Sequence, residues 1–243
     1  MGTLRNLILG AICMILVGSC DMDDINCVRV EGEVETQKRT LGSFNSIFFG
    51  DVGNLHISQG NEQSFIIKGQ KTILDKLKAE VNDDGKLIVD LDACFNGEDY
   101  SLDIFITAPE IKEVEMSGVG YIKTATPITT DVFTLKLNGV LEDSEMNIQA
   151  DSISTYLLGT GNITYKGSTK AHSVLYSGTG NLSAYDMISQ NSYITSNGVG
   201  NIYVTASDYL EATTNNVGNI YYKGDPVVDS EENDSVGKVI NDN

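Results

Sequence analysis

The chain has 243 residues, with 34 Asp and Glu against 16 Lys and Arg and a formal net charge of −18. That charge excludes nucleic acid and anionic lipid surfaces as partners, because both are recognised by basic patches. It favours solubility and leaves uncharged or cationic partners open.

Residues 1–19 read as a signal peptide. Arg5 supplies a minimal basic start, and Leu7 to Val17 is an apolar run too short to span a bilayer. The run ends Leu16-Val17-Gly18-Ser19-Cys20, which resembles a bacterial lipobox. That resemblance implies that Cys20 is acylated and becomes the first mature residue, so the protein is anchored by lipid rather than by a helix. Residues 20–39 form an acidic linker and the start of the fold. By resemblance, a cluster such as Asp21-Met22-Asp23-Asp24 after the lipidated Cys marks surface export in some Gram-negative groups. In others an Asp beside the Cys retains the protein at the inner membrane. An outer-membrane lipoprotein facing outward is the expectation, with the periplasmic face as the alternative. Cys13 leaves with the signal, so Cys27 and Cys94 remain, and an oxidising compartment predicts that they pair. Clustered zinc ligands around them are missing.

Residues 40–243 read as one domain, irregular over 40–110 and repetitive over 111–243. In the irregular half, Leu55–Ile57 and Phe65–Lys68 flank Gln59-Gly60-Asn61-Glu62, which predicts a hairpin. Ile73, Leu74, Leu77 and Val81 recur at helical spacing and predict one short helix capping an end. Leu87–Leu91 and Leu102–Ile106 alternate as strands.

The repetitive half carries one phrase again and again: Gly118-Val119-Gly120-Tyr121-Ile122, Gly159-Thr160-Gly161-Asn162-Ile163, Gly178-Thr179-Gly180-Asn181-Leu182, Gly198-Val199-Gly200-Asn201-Ile202 and Val217-Gly218-Asn219-Ile220. A worn copy at Gly139-Val140-Leu141 fills the long gap. Gly50-Asp51-Val52-Gly53-Asn54-Leu55 matches far upstream, and Val236-Gly237-Lys238 is a degenerate copy downstream. A fixed step of roughly 20 residues means a solenoid, one coil per repeat. The runs on either side alternate and are rich in β-branched and aromatic residues, so the coils are strands. The glycines then serve as corners with positive φ. The Asn side chains are placed to form a ladder, and the following Ile or Leu points inward. A nucleotide-binding reading of Gly-x-Gly fails, because each copy leads into a strand and not a helix. Seven coils at the strand spacing make a shaft about 30–35 Å long. The acidic tail is expected to be a capping coil with a loop over 229–234.

The lipobox, Phe44-Asn45-Ser46-Ile47, Leu102-Asp103-Ile104-Phe105-Ile106-Thr107-Ala108-Pro109 and the repeated Gly-x-Gly-Asn-Ile phrases together resemble the family of auto-transporter adhesins with a head GIN domain. The likeness spans about residues 40–240. It implies a right-handed parallel β-helix and a secreted or surface lipoprotein, and it offers no motif for ligand contacts.

The carboxylates Asp90/Asp92, Glu98/Asp99 and Glu142/Asp143/Glu145 are scattered over turns, and His56 and His172 stand on separate strands. No nucleophile-elbow phrase occurs. We therefore assign no catalytic residue, metal or cofactor. Nine of eleven tyrosines lie between Tyr156 and Tyr222. Alternation puts Tyr203 and Tyr221 outside on adjacent coils as a small aromatic strip, suited either to a sugar or protein partner or to bracing the sheet. Asp151-Ser152-Ile153 and Asp234-Ser235-Val236 resemble O-glycosylation acceptors. The reading is an adhesin-like, non-catalytic binder of glycan or of envelope or host protein, with oligomerisation open. A self-associating envelope scaffold is the alternative, and a carbohydrate-active enzyme on a β-helix is the second.

Overall fold

The computed structural model describes residues 27–96, 100–233 and 236–243. The signal segment, Cys20, the Asp21–Asp24 cluster, Glu98, Asp99 and Asp234-Ser235 lie outside the described residues.

Alternating residues make extended strands, and equal repeat lengths let those strands stack in register. Ser144–Leu157, Ile163–Tyr176, Leu182–Ser196 and Ile202–Thr214 pair as successive parallel neighbours. Each strand bends once near its middle, where Asp151 and Lys170 drop out of the pairing. Each coil therefore has two long faces, and the glycine corner forms a short third one. There, isolated bridges link Val140 to Thr160, Thr160 to Thr179, and Thr179 to Val199. The result is a β-solenoid of about six turns with ~20-residue coils, slightly shorter than the seven expected.

Equal spacing also stacks the core. Ile163, Leu182, Ile202 and Ile220 occupy equivalent positions on neighbouring coils and are buried, as is Ile122 on its own coil. Each such side chain contributes roughly 1.5–3 kcal/mol by leaving water.

The two glycines of the phrase have different jobs. The second takes positive φ at Gly53, Gly120, Gly161, Gly180 (+122°) and Gly200 (+135°), whereas Gly218, expected to share that conformation, does not adopt it. The first, at 118, 159, 178 and 198, needs no unusual φ. A Cβ there would collide with the main chain of the coil stacked against it, such as the carbonyl of Gly159 for residue 178. Gly53 stacks under Gly120 and Gly218 under Gly200, so the outlying copies belong to the same column. The Asn ladder forms by an amide-to-backbone route. The Oδ1 of Asn162 accepts the N–H of Asn181 at 3.0 Å, that of Asn181 accepts Asn201 at 2.9 Å, and that of Asn201 accepts Asn219 at 3.0 Å. A second ladder on the preceding turn, unforeseen in the sequence, joins Asn197, Asn215 and Asn233 through their amides at 2.7 and 3.0 Å.

The irregular half departs from the expectations. Ser46–Phe49 pairs in parallel with both Glu113–Met116 and Lys86–Leu91, and Asn54–Gln59 pairs with both Ile122–Thr124 and Leu102–Ala108. The coil 86–108 thus lies at the outer end, and the chain returns past coil 46–59 to begin the regular stack. The predicted hairpin does not form. With both edges of Asn54–Gln59 taken, Ser64–Gln70 pairs antiparallel with Leu102–Ala108 instead. Helical spacing over 73–81 is also misleading beyond its first turn. The helix is Lys71–Leu74, whereas Leu77–Val81 is a strand antiparallel to Lys86–Leu91. Ladder hydrogen bonds and Leu77 burial outweigh the local pattern. The Arg39 guanidinium donates to the carbonyls of Leu74 and Leu77 at 2.7 and 2.6 Å, closing the helix end. These antiparallel strands cover one end of the solenoid. Beside them, Cys27 and Cys94 form a disulfide with Cα atoms 4.7 Å apart, closing a separation of 67 residues. Such a closure contributes about 2–4 kcal/mol.

At the other end the expected loop over 229–234 is replaced in part by a strand. Val227–Glu232 pairs with Tyr209–Thr214, because the repeat length persists through the acidic run.

Two outcomes test this account. Gly180→Val drives a side chain into the carbonyl of Gly161 and forbids φ +122°, so it is expected to cost roughly 3 kcal/mol in denaturant unfolding. Gly85→Ala, with φ +72° and open space around it, is expected to cost only about 1–2 kcal/mol. Equal losses would contradict the stacked-corner assignment.

The second concerns Asp51 in the first corner. Burial, then a hydrogen bond that the protonated carboxyl donates to Asp90, pushes the Asp51 carboxyl up to about 6. Because the folded form binds the proton more tightly, this group favours folding at low pH. That contribution fades as pH rises from about 4 through about 6. Asp51→Asn should therefore melt higher than the parent protein at pH 7, with the gap closing toward pH 4. A gap independent of pH would contradict it.

Candidate functional site

The strongest cluster of outward side chains on the regular coils is aromatic. The register pairs Tyr203 with Tyr221 directly, one slot after the buried Ile202 and Ile220. Their rings stack with centroids 5.0 Å apart and planes 10° apart. Tyr185, which sequence spacing did not place here, meets Tyr203 edge-on at 5.3 Å. It reaches the strip because the pairing shifts between Ala184 and Ile188, a bulge that re-aims the chain. The Lys223 ammonium sits 4.3 Å over the Tyr185 ring. The Tyr185 hydroxyl donates to Asp242 at 2.6 Å. Burial first, then the bond to Asp242, raises this phenol above its ordinary range.

Hydrogen bonding orients the other two phenols. Asn201 Nδ2 donates to the Tyr203 hydroxyl at 3.2 Å, and Asn219 Nδ2 donates to that of Tyr221 at 3.0 Å. The amides that build the corner ladder thus also fix the tyrosines. Since each hydroxyl accepts from an amide, its own proton remains to donate outward. The facing ring surfaces cover one another, and the strip offers the solvent edges, hydroxyls and one ammonium. All three tyrosines lie on the coils that begin at Leu182, Ile202 and Ile220, toward the end of the stack opposite the Cys27–Cys94 disulfide.

The two histidines sit elsewhere and apart. His172 is buried and accepts or donates at 3.2 Å with Thr155, which meets the Tyr165 hydroxyl at 3.1 Å. Burial lowers the His172 pKa to about 3, so the imidazole is neutral and the trio is a polar insert in the core. His56 lies on the outer face, stacked on Phe105 at 4.4 Å and in contact with Asp103 at 3.2 Å and the Tyr121 hydroxyl at 3.3 Å. This is a side-chain brace across three adjacent coils. Neither histidine faces the tyrosine strip. Of the expected carboxylates, Asp90 approaches Asp51, Asp92 pairs with Lys78 at 2.8 Å, Glu145 pairs with Lys166 at 2.7 Å, and Asp143 meets Asn162 at 3.5 Å. Among the described residues no group of three or more His, Cys, Asp or Glu is arranged to hold a metal. No helix among them is long and apolar enough to cross a membrane.

The fold has solved relatives. A putative adhesin from Bacteroides fragilis superposes with a TM-score of 0.83 at 25% identity, covering 88% of this chain and 99% of the other. A putative lipid binding protein from Parabacteroides distasonis gives 0.68 at 19% identity, covering 89% and 99%. A putative adhesin from Parabacteroides merdae gives 0.61 at 20% identity with the same coverage. The latter two show the fold alone. Among curated proteins the chain has no match. The family model described as "Putative auto-transporter adhesin, head GIN domain" matches residues 43–226, and the chain belongs to that family.

Proposed function

We propose that this protein is a non-catalytic, adhesin-like binder held at the cell envelope by lipid on Cys20, with the Tyr185/Tyr203/Tyr221 strip as its contact surface. The observation that carries the reading is the orientation of the strip. Two phenol hydroxyls are pre-set by Asn201 and Asn219, beside the Lys223 ammonium, far from the disulfide-tied N-terminal end. A shaft anchored at that end presents its last coils outward. Fixed O–H donors and a cation suit the hydroxyls and carboxylates of a glycan, at low cost in side-chain ordering. Family membership and the likeness to an adhesin support the binding class.

A second reading has its own observation. The strands Val227–Glu232 and Val239–Asn241 each pair on one side only among the described residues, leaving a strand edge at the end of the shaft. Such an edge is a template for another chain, which supports a self-associating scaffold. The acidic side chains of Asp229, Glu231 and Glu232 on that edge oppose a second identical copy. A concentration-independent monomer in sedimentation counts against the scaffold.

The strip is tested by Tyr203→Phe with Tyr221→Phe, which keeps the stacked rings and removes the two donors. For the glycan that the parent protein retains best on an array, affinity is expected to fall about thirtyfold, the loss of two hydrogen bonds of about 1 kcal/mol each. The melting temperature should barely move. Undiminished affinity would remove the strip as the contact surface.

A further inference from the structure

The bend that divides each long strand leaves a second feature outside the strip, a cleft of about 660 Å³ running along the solenoid. It crosses four successive coils, which at the strand spacing gives it a length on the order of 15–20 Å. One wall is set by register: Thr129 pairs with Gln149, and Gln149 with Ser168. The facing wall comes from the bends themselves, with Asp131, Asp151, Lys170 and Gln190. At one end Gln59 is a fixed stop. Its amide donates to the carbonyls of Pro109 and Thr129 at 2.9 Å and accepts the N–H of Thr129 at 2.6 Å.

We propose that this cleft binds an extended, uncharged polysaccharide segment, roughly one sugar residue per coil. Three features of the walls select that class. First, most of the lining side chains carry hydroxyls, amides or carboxylates, and only Pro109 and Ala150 are apolar, which offers an acyl chain or an apolar peptide no continuous surface to bury. Second, the amides of Gln149 and Gln190 are exposed and have no partner among the described residues. Each offers both a donor and an acceptor, the combination that reads neighbouring sugar hydroxyls. Third, the charge in the cleft excludes polyanions. Lys170 is already held by Asp151 at 2.7 Å, whereas the Asp131 carboxylate has no ion-pair partner among the described residues. A free carboxylate accepts sugar hydroxyls strongly and repels uronic or phosphorylated chains. The periodicity also matches: an extended β-linked glycan advances by nearly one coil spacing per sugar, so successive residues meet equivalent wall positions.

The cleft is separate from the tyrosine strip, and neither proposal depends on the other. The test is calorimetric titration of the full lipid-anchored chain, in detergent, with neutral tetrasaccharides (β-linked glucose, mannose, xylose and N-acetylglucosamine). A tetragalacturonate serves as the anionic control. At least one neutral tetrasaccharide is expected to bind, and its affinity should fall tenfold or more in Gln149→Ala with Gln190→Ala. Both positions are exposed, so the melting temperature should not change. Tyr203→Phe with Tyr221→Phe should leave this affinity unaltered. Ser168→Trp, which fills the middle of the cleft, should abolish it. Failure of every neutral tetrasaccharide to bind overturns the proposal, as does a stronger response to tetragalacturonate. Binding that survives the glutamine pair but is lost with the tyrosine pair also overturns it, and assigns glycan recognition to the strip.

Discussion

Everything in this molecule depends on how closely the main chain of one glycine corner lies against the next. At positions 118, 159, 178 and 198 there is no space for a Cβ, because the carbonyl of the adjacent corner occupies it. Two neighbouring coils can pair along all three faces only if their corners nest in this way. The nesting fixes the repeat length, and the repeat length fixes the register of both long faces. Register then places one hydrophobic side chain above another down the whole core. The corner is thus a small part of each repeat with control over all of it.

The same constraint explains how an exposed surface becomes ordered. An Asn after the corner accepts the N–H of its neighbour through Oδ1, which leaves Nδ2 directed along its own coil. On the coils beginning at Ile202 and Ile220, that spare amide reaches a tyrosine hydroxyl two residues on. A structural ladder therefore also positions the strip. The bends on the far side of the sheet act similarly. They align exposed amides and hydroxyls beside Ala150 and Thr169, which pack inward at the same bends. Both surfaces inherit their order from the stack.

Much of this was legible in the chain. Gly-x-Gly-Asn phrases at even steps gave the solenoid, the inward column at Ile163, Leu182, Ile202 and Ile220, and the pairing of Tyr203 with Tyr221. Even the remote copy at Gly53 proved to be a corner, stacked under Gly120. What was not legible is the order of coils in the first half. Nothing local says that 86–108 lies outside 46–59, since that choice is made by which strand edges are still free when the stack closes. The hairpin at Gln59–Glu62 and the full helix over 73–81 failed for that reason, with local pattern overridden by long-range pairing. Tyr185 was missed because a bulge moved it, and the cleft because its residues come from bends that neighbour one another only across coils. The worn corner at Leu141 shows the limit of motif counting. It has lost a glycine, yet Val140 still bridges to Thr160 and holds its place in the column.

The proposed adhesin-like role requires the last coils to face out of the cell, so where the protein stands decides it. The direct measurement is labelling of intact cells with a membrane-impermeant amine reagent, using the full chain and its Cys20→Ser variant. The account predicts that the full chain is labelled on intact cells and sediments with the outer membrane, whereas the Cys20→Ser chain is released from it. Labelling of the full chain only after the outer membrane is broken would contradict an outward-facing adhesin-like role and favour an envelope scaffold.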